Sequence, residues 1–186
     1  MDLLHHIWRL IIGGKLFRAP INNSQRVLDL GTGTGIWAID FADEFPSALV
    51  IGTDLSPIQP NIVPPNCIFY VDDIESEWTF SSETFDYIHG RSLGGSIVNF
   101  ELLYRQIYDN LKPGGWVEMQ EFQTAIYSDD DPSLSKAFNI KKLLFLCNYA
   151  SEKMGRKFAI AQEQEQKLIE SGFEDVHEDL YKVRLC

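Results

Sequence analysis

Short, nearly continuous apolar runs alternate along the chain with stretches whose apolar residues recur every three or four positions. Arg26 to Asp29 is a brief apolar segment that runs into a glycine-rich turn. Ile36 to Glu44 follows, with Ile36, Ile39 and Asp40 one turn apart and Phe41 beside them, a helical pattern that Pro46 ends. The run ALVIGT, Ala48 to Thr53, is apolar at its centre, as a strand buried on both faces must be. Ile68 to Val71 and Phe85 to His89 read as a third and a fourth strand. Asn99 caps a helix that carries Leu103, Ile107 and Leu111 on one face. Lys112 to Gly115 stops it and turns into a fifth strand, Trp116 to Met119. Asp131-Pro132 starts a further helix through Leu144 to Tyr149, and Ala159 to Ser171 is a last one closed by Gly172. Val176 to Leu185 alternates loosely and reads as a sixth strand.

Strands separated by helices pair in parallel, so the pattern predicts a three-layer, doubly wound α/β fold with a mostly parallel, Rossmann-like sheet. One domain is expected over 1–186: a lead-in helix at 1–22, a ligand-binding core at 23–127, and C-terminal helices with a sixth strand at 128–186. In such sheets ligands lie beyond the carboxyl ends of the strands, where strand order reverses, and the glycine loop follows the first strand.

The loop spells Asp-x-Gly-x-Gly-x-Gly from Asp29 to Gly35. A dinucleotide fingerprint wants a third small residue at position 36, where this chain has Ile36. Asp29 is a poor neighbour for a pyrophosphate and a good one for an ammonium or a sulfonium, which favours S-adenosylmethionine over a nicotinamide cofactor. Asp54 ends the second strand 19 residues past Gly35, near the interval at which a carboxylate grips ribose hydroxyls. Leu55 then covers one face of the adenine. Of Asp72 and Asp73 after the third strand, Asp73 is favoured to accept from the adenine amino group, with Ile74 flanking the ring.

The stretches VLDLGTGTGIWAIDFADEFPSALVIGTDLSPIQP, VPPN, VDDIESEW, FDYIHGRSLGGSI and LKPGGWVEMQEF together resemble the class I S-adenosylmethionine-dependent methyltransferases. More narrowly they resemble the fungal methyltransferases grouped with the LaeA regulator of secondary metabolism. The resemblance implies Gly31, Gly33 and Gly35 as the cofactor loop, Asp54 as ribose ligand, Asp73 as adenine contact and Asp29 near the methionine amino end. It also implies the strand order 3-2-1-4-5-7-6. Against that pattern the chain is expected to be truncated at both ends, lacking the last strand and leaving a sheet edge open to a protein partner or a second copy.

The catalytic residue is left open. His89, Arg91, Gln120 and Glu121 stand at the ends of strands four and five, and His89 or Glu121 is the candidate base. Each has a plainer reading: His89 packs at a strand end, Arg91 forms a salt bridge or holds the methionine carboxylate or an acidic acceptor, and Glu121 caps the next loop. Val63 to Asn66 has the look of a base-methylating signature but precedes strand three, so it is read as a rigid turn. His5 and His6 have no partners spaced for a metal site, and no metal is expected. The four tryptophans show no basic interleaving and are assigned to core packing.

Composition narrows the partners. A net charge of −11 disfavours nucleic acid and suits a small-molecule or protein methyl acceptor. Three widely spaced cysteines suggest a reducing compartment. The N-terminal run is broken by Arg9 and Gly13-Gly14, which predicts a short packed helix rather than a leader or a membrane span, and hence a cytoplasmic or nuclear protein. Two functions follow: an S-adenosylmethionine-dependent methyltransferase, or a regulatory interaction protein that keeps the cofactor fold with little turnover.

Overall fold

The computed structural model describes residues 2–183. Five strands, β1 (Arg26–Leu30), β2 (Leu49–Asp54), β3 (Cys67–Val71), β4 (Phe85–Arg91) and β5 (Leu111–Gln120), form one sheet in the order β3-β2-β1-β4-β5. Every neighbouring pair is parallel. The helices are α1 (Asp2–Ile11), α2 (Ile36–Glu44), α3 (Phe100–Asn110), α4 (Phe138–Lys153) and α5 (Gln164–Glu170).

Successive side chains of a strand point to opposite faces, so a central strand covered on both is apolar along most of its length. Along β1, Val27 joins Leu16, Trp37, Phe41, Val50 and Tyr87 on one face. Its neighbour Leu28 joins Ile51, Ile88, Leu103, Ile107 and Ile160 on the other. The doubly wound, Rossmann-like architecture read from the sequence is the one observed.

Most boundaries follow from local chemistry. The Asn99 carboxamide oxygen accepts the Leu102 N–H at 3.0 Å and caps α3. Gly14, in the left-handed region, donates to the Arg9 carbonyl and closes α1. The Val63–Asn66 turn is held by the Asn66 side-chain amide, which donates to the carbonyls of Ala42, Phe45 and Ala48. Helix α3 stops at Asn110, and Leu111 already belongs to β5. Residues between Leu111 and Trp116 bulge, shifting the register from Phe85–Leu111 to Tyr87–Trp116.

The C-terminal third departs from expectation. Helix α4 begins at Phe138, not at Asp131-Pro132. The Asp131 carboxylate is consumed by the hydroxyls of Ser133 and Ser135 and the Lys136 N–H, which fold a compact turn before the helix. Helix α4 then runs to Lys153. The helix expected over Ala159 to Ser171 is a 3-10 turn, Ala161–Glu163, followed by α5. The sixth strand is absent over Val176–Val183, where Leu180 and Val183 stay exposed and alternation leads to no burial. Its last residues, with Cys186, lie outside the described residues. Among the described residues the sheet ends at β5, and no helix is long and apolar enough to cross a membrane.

One glycine of the loop is required by the fold itself. Gly35 caps α2 with φ +79°, and a Cβ there would sit 2.4 Å from the Phe69 ring. Gly35→Ala is expected to lose about 2–4 kcal/mol of stability without any ligand present. In a Phe69→Ala background the same substitution should cost only the backbone strain of roughly 1–2 kcal/mol. Urea unfolding of the four proteins in this cycle checks it; equal costs in both backgrounds would refute the steric account.

Candidate functional site

A cleft of about 330 Å³ opens at the carboxyl ends of β1 to β4, where the strand order reverses between β1 and β4. Asp29, Gly31, Gly33, Asp54, Leu55, Asp73 and Ile74 all line it, with Asp72, Glu75, His89 and Arg91. Gly35, expected to touch the ligand, is not in the lining. It faces Phe69 and serves the loop's shape.

The loop is tied to its surroundings by hydrogen bonds that the glycines permit. Gly31, Gly33 and Gly35 all have positive φ. The Thr32 N–H donates to the Thr53 carbonyl at 2.9 Å, and the Gly33 N–H donates to the Asp54 carboxylate at 2.8 Å. The other Asp54 oxygen accepts the Ser56 N–H at 2.9 Å. Asp54 is thereby fixed in orientation, and each of its oxygens keeps a second acceptor site. Gln59, which sequence patterning does not single out, donates to the Gly33 carbonyl at 2.7 Å. Gly52 is also required: a Cβ would meet Thr32 Oγ1 at 2.9 Å and Phe69 at 2.7 Å.

After β3, the Asp73 carboxylate accepts the Glu75 N–H at 2.9 Å, and the Asp72 carboxylate accepts the Asp73 N–H at 2.8 Å. Glu75 Oε1 receives the Val98 and Asn99 N–H groups and so joins this turn to the start of α3. Both aspartates have oxygen left to offer the cleft.

Asp29 and His89 stand side by side on β1 and β4. His89 Nδ1–H donates to Asp29 Oδ1 at 2.7 Å, and the Thr32 hydroxyl donates to Asp29 Oδ2 at 2.5 Å. The imidazole stacks on Trp37 with ring centres 3.7 Å apart. Burial holds the His89 pKa below its ordinary value, against the opposing pull of Asp29, so the ring is neutral. Its Nε2 has no partner. His89 is fully buried yet belongs to the cleft lining.

Glu121 is not in the cleft lining either. Its Oε1 accepts the N–H groups of Leu93 at 2.5 Å and Gly94 at 3.0 Å, fastening the loop after β4. The plainer reading, a carboxylate that caps the next loop, is the one observed. The same loop is clamped from its other side: Gly95 N–H donates to the Lys157 carbonyl, and Arg156 Nη1 donates to the Ser96 carbonyl. A Cβ at Gly94 would lie 2.6 Å from the Phe158 carbonyl oxygen. The Gly94-Gly95 pair is the signal that backbone approaches here. Arg156 itself lines the cleft and has no sequence signal.

Arg91 ends β4 and lines the cleft. Nε donates to Gln120 Oε1 at 2.7 Å, Nη1 to His5 Nδ1 at 3.1 Å, and Nη2 to the Leu16 carbonyl at 3.5 Å. All three acceptors are neutral. Burial lowers its pKa. Among the described residues no group of three or more His, Cys, Asp or Glu is arranged to hold a metal ion, and exposed His6 has no part in the site.

A parallel sheet with a glycine turn after its first strand and carboxylates after its second and third defines a Rossmann-like nucleoside-binding domain. The chain belongs to a family of methyltransferase domains, whose family model, described as "Methyltransferase domain", matches residues 3–178. S-adenosylmethionine is that family's cofactor. The methyltransferase pytC of Aspergillus terreus is 40% identical over 185 residues, covering 98% of this chain and 56% of the relative. The secondary metabolism regulator LAE1 of Cochliobolus heterostrophus is 38% identical over 189 residues, covering 98% and 61%. The chain thus spans little more than half the length of these curated relatives. Among solved structures, Haemonchus contortus phosphoethanolamine N-methyltransferase 2 with S-adenosyl-L-methionine aligns at a TM-score of 0.59. It is 22% identical, covering 94% of this chain and 42% of that one, and speaks for the fold.

The Glu121 clamp has a pH signature. Burial pushes its pKa from 4.5 up to about 7, although the two N–H groups favour the charged form. A carboxyl raised on folding costs stability as pH climbs from its unfolded value to its folded one. Glu121→Gln keeps an acceptor for both N–H groups without the charge. Relative to wild type it should gain on the order of 2 kcal/mol between about pH 4.5 and pH 7.5. Urea midpoints of both proteins across this range measure the difference; parallel curves would remove the assignment.

Proposed function

We propose that this cleft binds S-adenosylmethionine and that the chain carries methyl transfer to a small-molecule or protein acceptor, in the setting of fungal secondary metabolism. The observation that carries the reading is the Gly33–Asp54 bond. It places a pre-oriented carboxylate beside the glycine turn, where a vicinal diol needs two acceptors. The cleft volume lies within the range of about 300–1,000 Å³ usual for ligand sites.

The residues present fit the cofactor's chemistry along its length. Asp54 takes the ribose hydroxyls, and Asp73 accepts from the adenine amino group with Ile74 and Leu55 against the ring. Gly31 and Asp29 lie toward the amino-acid end, where a buried carboxylate suits a cation. Arg91 offers its remaining N–H groups to the methionine carboxylate. A guanidinium with only neutral partners is costly to keep from water, and an anionic ligand relieves that cost. When bound, the cofactor supplies an electrophilic methyl group on a sulfonium, whose departure as a neutral thioether makes alignment the protein's main task. The loop 92–97, pinned by Glu121 and by residues 156–158, forms the wall against which an acceptor is aligned.

A second reading also has an observation behind it. His89 and Glu121, the two candidate bases, are respectively fully buried and outside the cleft. That suits an acceptor with no proton to lose, or a regulatory protein that binds the cofactor and turns it over slowly, as the name of the LAE1 relative invites. Release of adenosylhomocysteine with a panel of acceptors separates enzyme from regulator.

Asp54 provides the direct test of binding. Asp54→Asn keeps the side chain's shape but leaves one acceptor oxygen, and should weaken adenosylhomocysteine by at least about tenfold in calorimetry. Asp54→Ala should abolish binding and loosen the loop as well. An unchanged dissociation constant in Asp54→Asn would dismiss the ribose assignment.

A further inference from the structure

Helix α1 lies over the amino-acid end of the cleft, with Leu4 and His5 in its lining. It is attached by polar side chains along its length. Asp2 accepts the Thr34 hydroxyl at 2.8 Å, and Arg9 Nη1 donates to Asp40 Oδ2 at 3.0 Å. His5 is the buried member of this set. Its two nitrogens do opposite jobs. Nε2–H donates to Asp40 Oδ2 at 3.1 Å, which leaves Nδ1 as an acceptor, and Arg91 Nη1 donates to Nδ1 at 3.1 Å. The tautomer follows from the partners: a guanidinium only donates and a carboxylate only accepts. Trp8, one turn on, presents its ring to the same guanidinium at 5.7 Å. Helix α1 therefore holds Arg91 from one side, as Gln120 and the Leu16 carbonyl hold it from the other.

We propose that His5 is a positioning residue for the methyl-donor site: its neutral Nδ1 fixes the Arg91 guanidinium with two N–H groups left to grip the carboxylate of the cofactor's amino-acid end. This rests on the cofactor reading above. The arrangement carries a pH dependence with a definite sign. Protonated His5 has no acceptor for Arg91 and sets a second cation beside it. The charged groups facing His5 are Asp40 on α2, Arg9 on α1 and Arg91 on β4. Arg91 in turn feels Asp29, Tyr87 and Glu118. Burial lowers the His5 pKa from 6.5, Asp40 opposes that, and Arg91 adds to it. At neutral pH the ring is the neutral acceptor the geometry needs, and acid removes it.

The test compares two ligands that share the nucleoside and the sulfur. Adenosylhomocysteine has the amino-acid carboxylate, and 5′-methylthioadenosine lacks it. At pH 8, His5→Ala should bind adenosylhomocysteine roughly tenfold more weakly than wild type and methylthioadenosine within about twofold. His5→Asn puts an amide oxygen where Nδ1 stands and should restore the affinity. Between pH 8 and pH 5.5 wild type should lose affinity for adenosylhomocysteine more steeply than His5→Asn, which has no group to protonate there. His89 is common to both proteins, so any effect of its own cancels in the comparison. Equal losses for both ligands in His5→Ala would reduce His5 to a structural role, and a His5→Asn profile that tracks wild type would overturn the proposal. If His5→Ala fails to fold, the affinity and pH profile of His5→Asn decide alone. Wild type that binds neither ligand overturns the cofactor reading itself.

Discussion

A carboxylate buried in the middle of a sheet must be answered by donors, and Asp29 is answered from two directions. His89 reaches it from the neighbouring strand and Thr32 from the loop that follows. The first contact reinforces the register of β1 against β4 at the switch point of the sheet. The second bends the chain back over the end of β1, which brings the Thr32 N–H to β2 and the Gly33 N–H to Asp54. Without Asp29 the loop loses its inner anchor, and the histidine loses the partner that sets its tautomer. The cost of burying this group is offset by a hydrogen bond to each of its oxygens, which also holds it in one orientation.

From that anchor the cleft divides into two electrostatic halves. One half is acidic: Asp54, Asp72, Asp73 and Glu75 follow β2 and β3, and their main-chain partners freeze the carboxylates at the angles observed. The other half centres on Arg91, a cation whose hydrogen-bond acceptors are neutral and which is held by α1 and β5. A ligand polar at both ends, with hydroxyls and an amino group at one and a carboxylate at the other, matches both halves at once. A pyrophosphate would instead have to face the carboxylates of the acidic half.

The sequence made the strands and the loop readable because those features are local. Continuous apolar runs mark strands covered on both faces, Asn99 announces a cap, and Asp29, Asp54 and Asp73 sit at strand ends whatever else the chain does. What stayed hidden depends on residues far apart. Gly35 looks like its two sisters in the loop, and only the Phe69 ring from β3 turns it toward packing. Glu121 looks like a strand-end acid poised for chemistry, and only the N–H groups of Leu93 and Gly94 show that it is a clasp. The start of α4 is not legible from Asp131-Pro132, because Asp131 satisfies a turn of its own before the helix can use it. His5 and Arg156 reach the cleft through tertiary packing that no spacing reveals.

These long-range ties explain how a five-stranded sheet sustains a finished cleft. The floor comes from the ends of β1 to β4, Leu4 and His5 of α1 cover one end, and the wall, residues 92–97, depends on the segments that follow β5. That wall is held by two independent clasps, Glu121 from the end of β5 and the backbone of 156–158 from the segment after α4, with Ile160 anchoring the segment in the core. Helix α4 braces the second clasp: its Ser151 hydroxyl accepts the Phe158 N–H at 3.2 Å and its Ser151 carbonyl accepts the Arg156 N–H at 2.9 Å. None of its residues is buried, and Asn148 to Thr124 is a further side-chain tie to the body. The cleft wall therefore leans, through residues 156–158, on the C-terminal turn of α4. The 92–97 wall is thus the place where the C-terminal segment meets the cleft built on the strand ends.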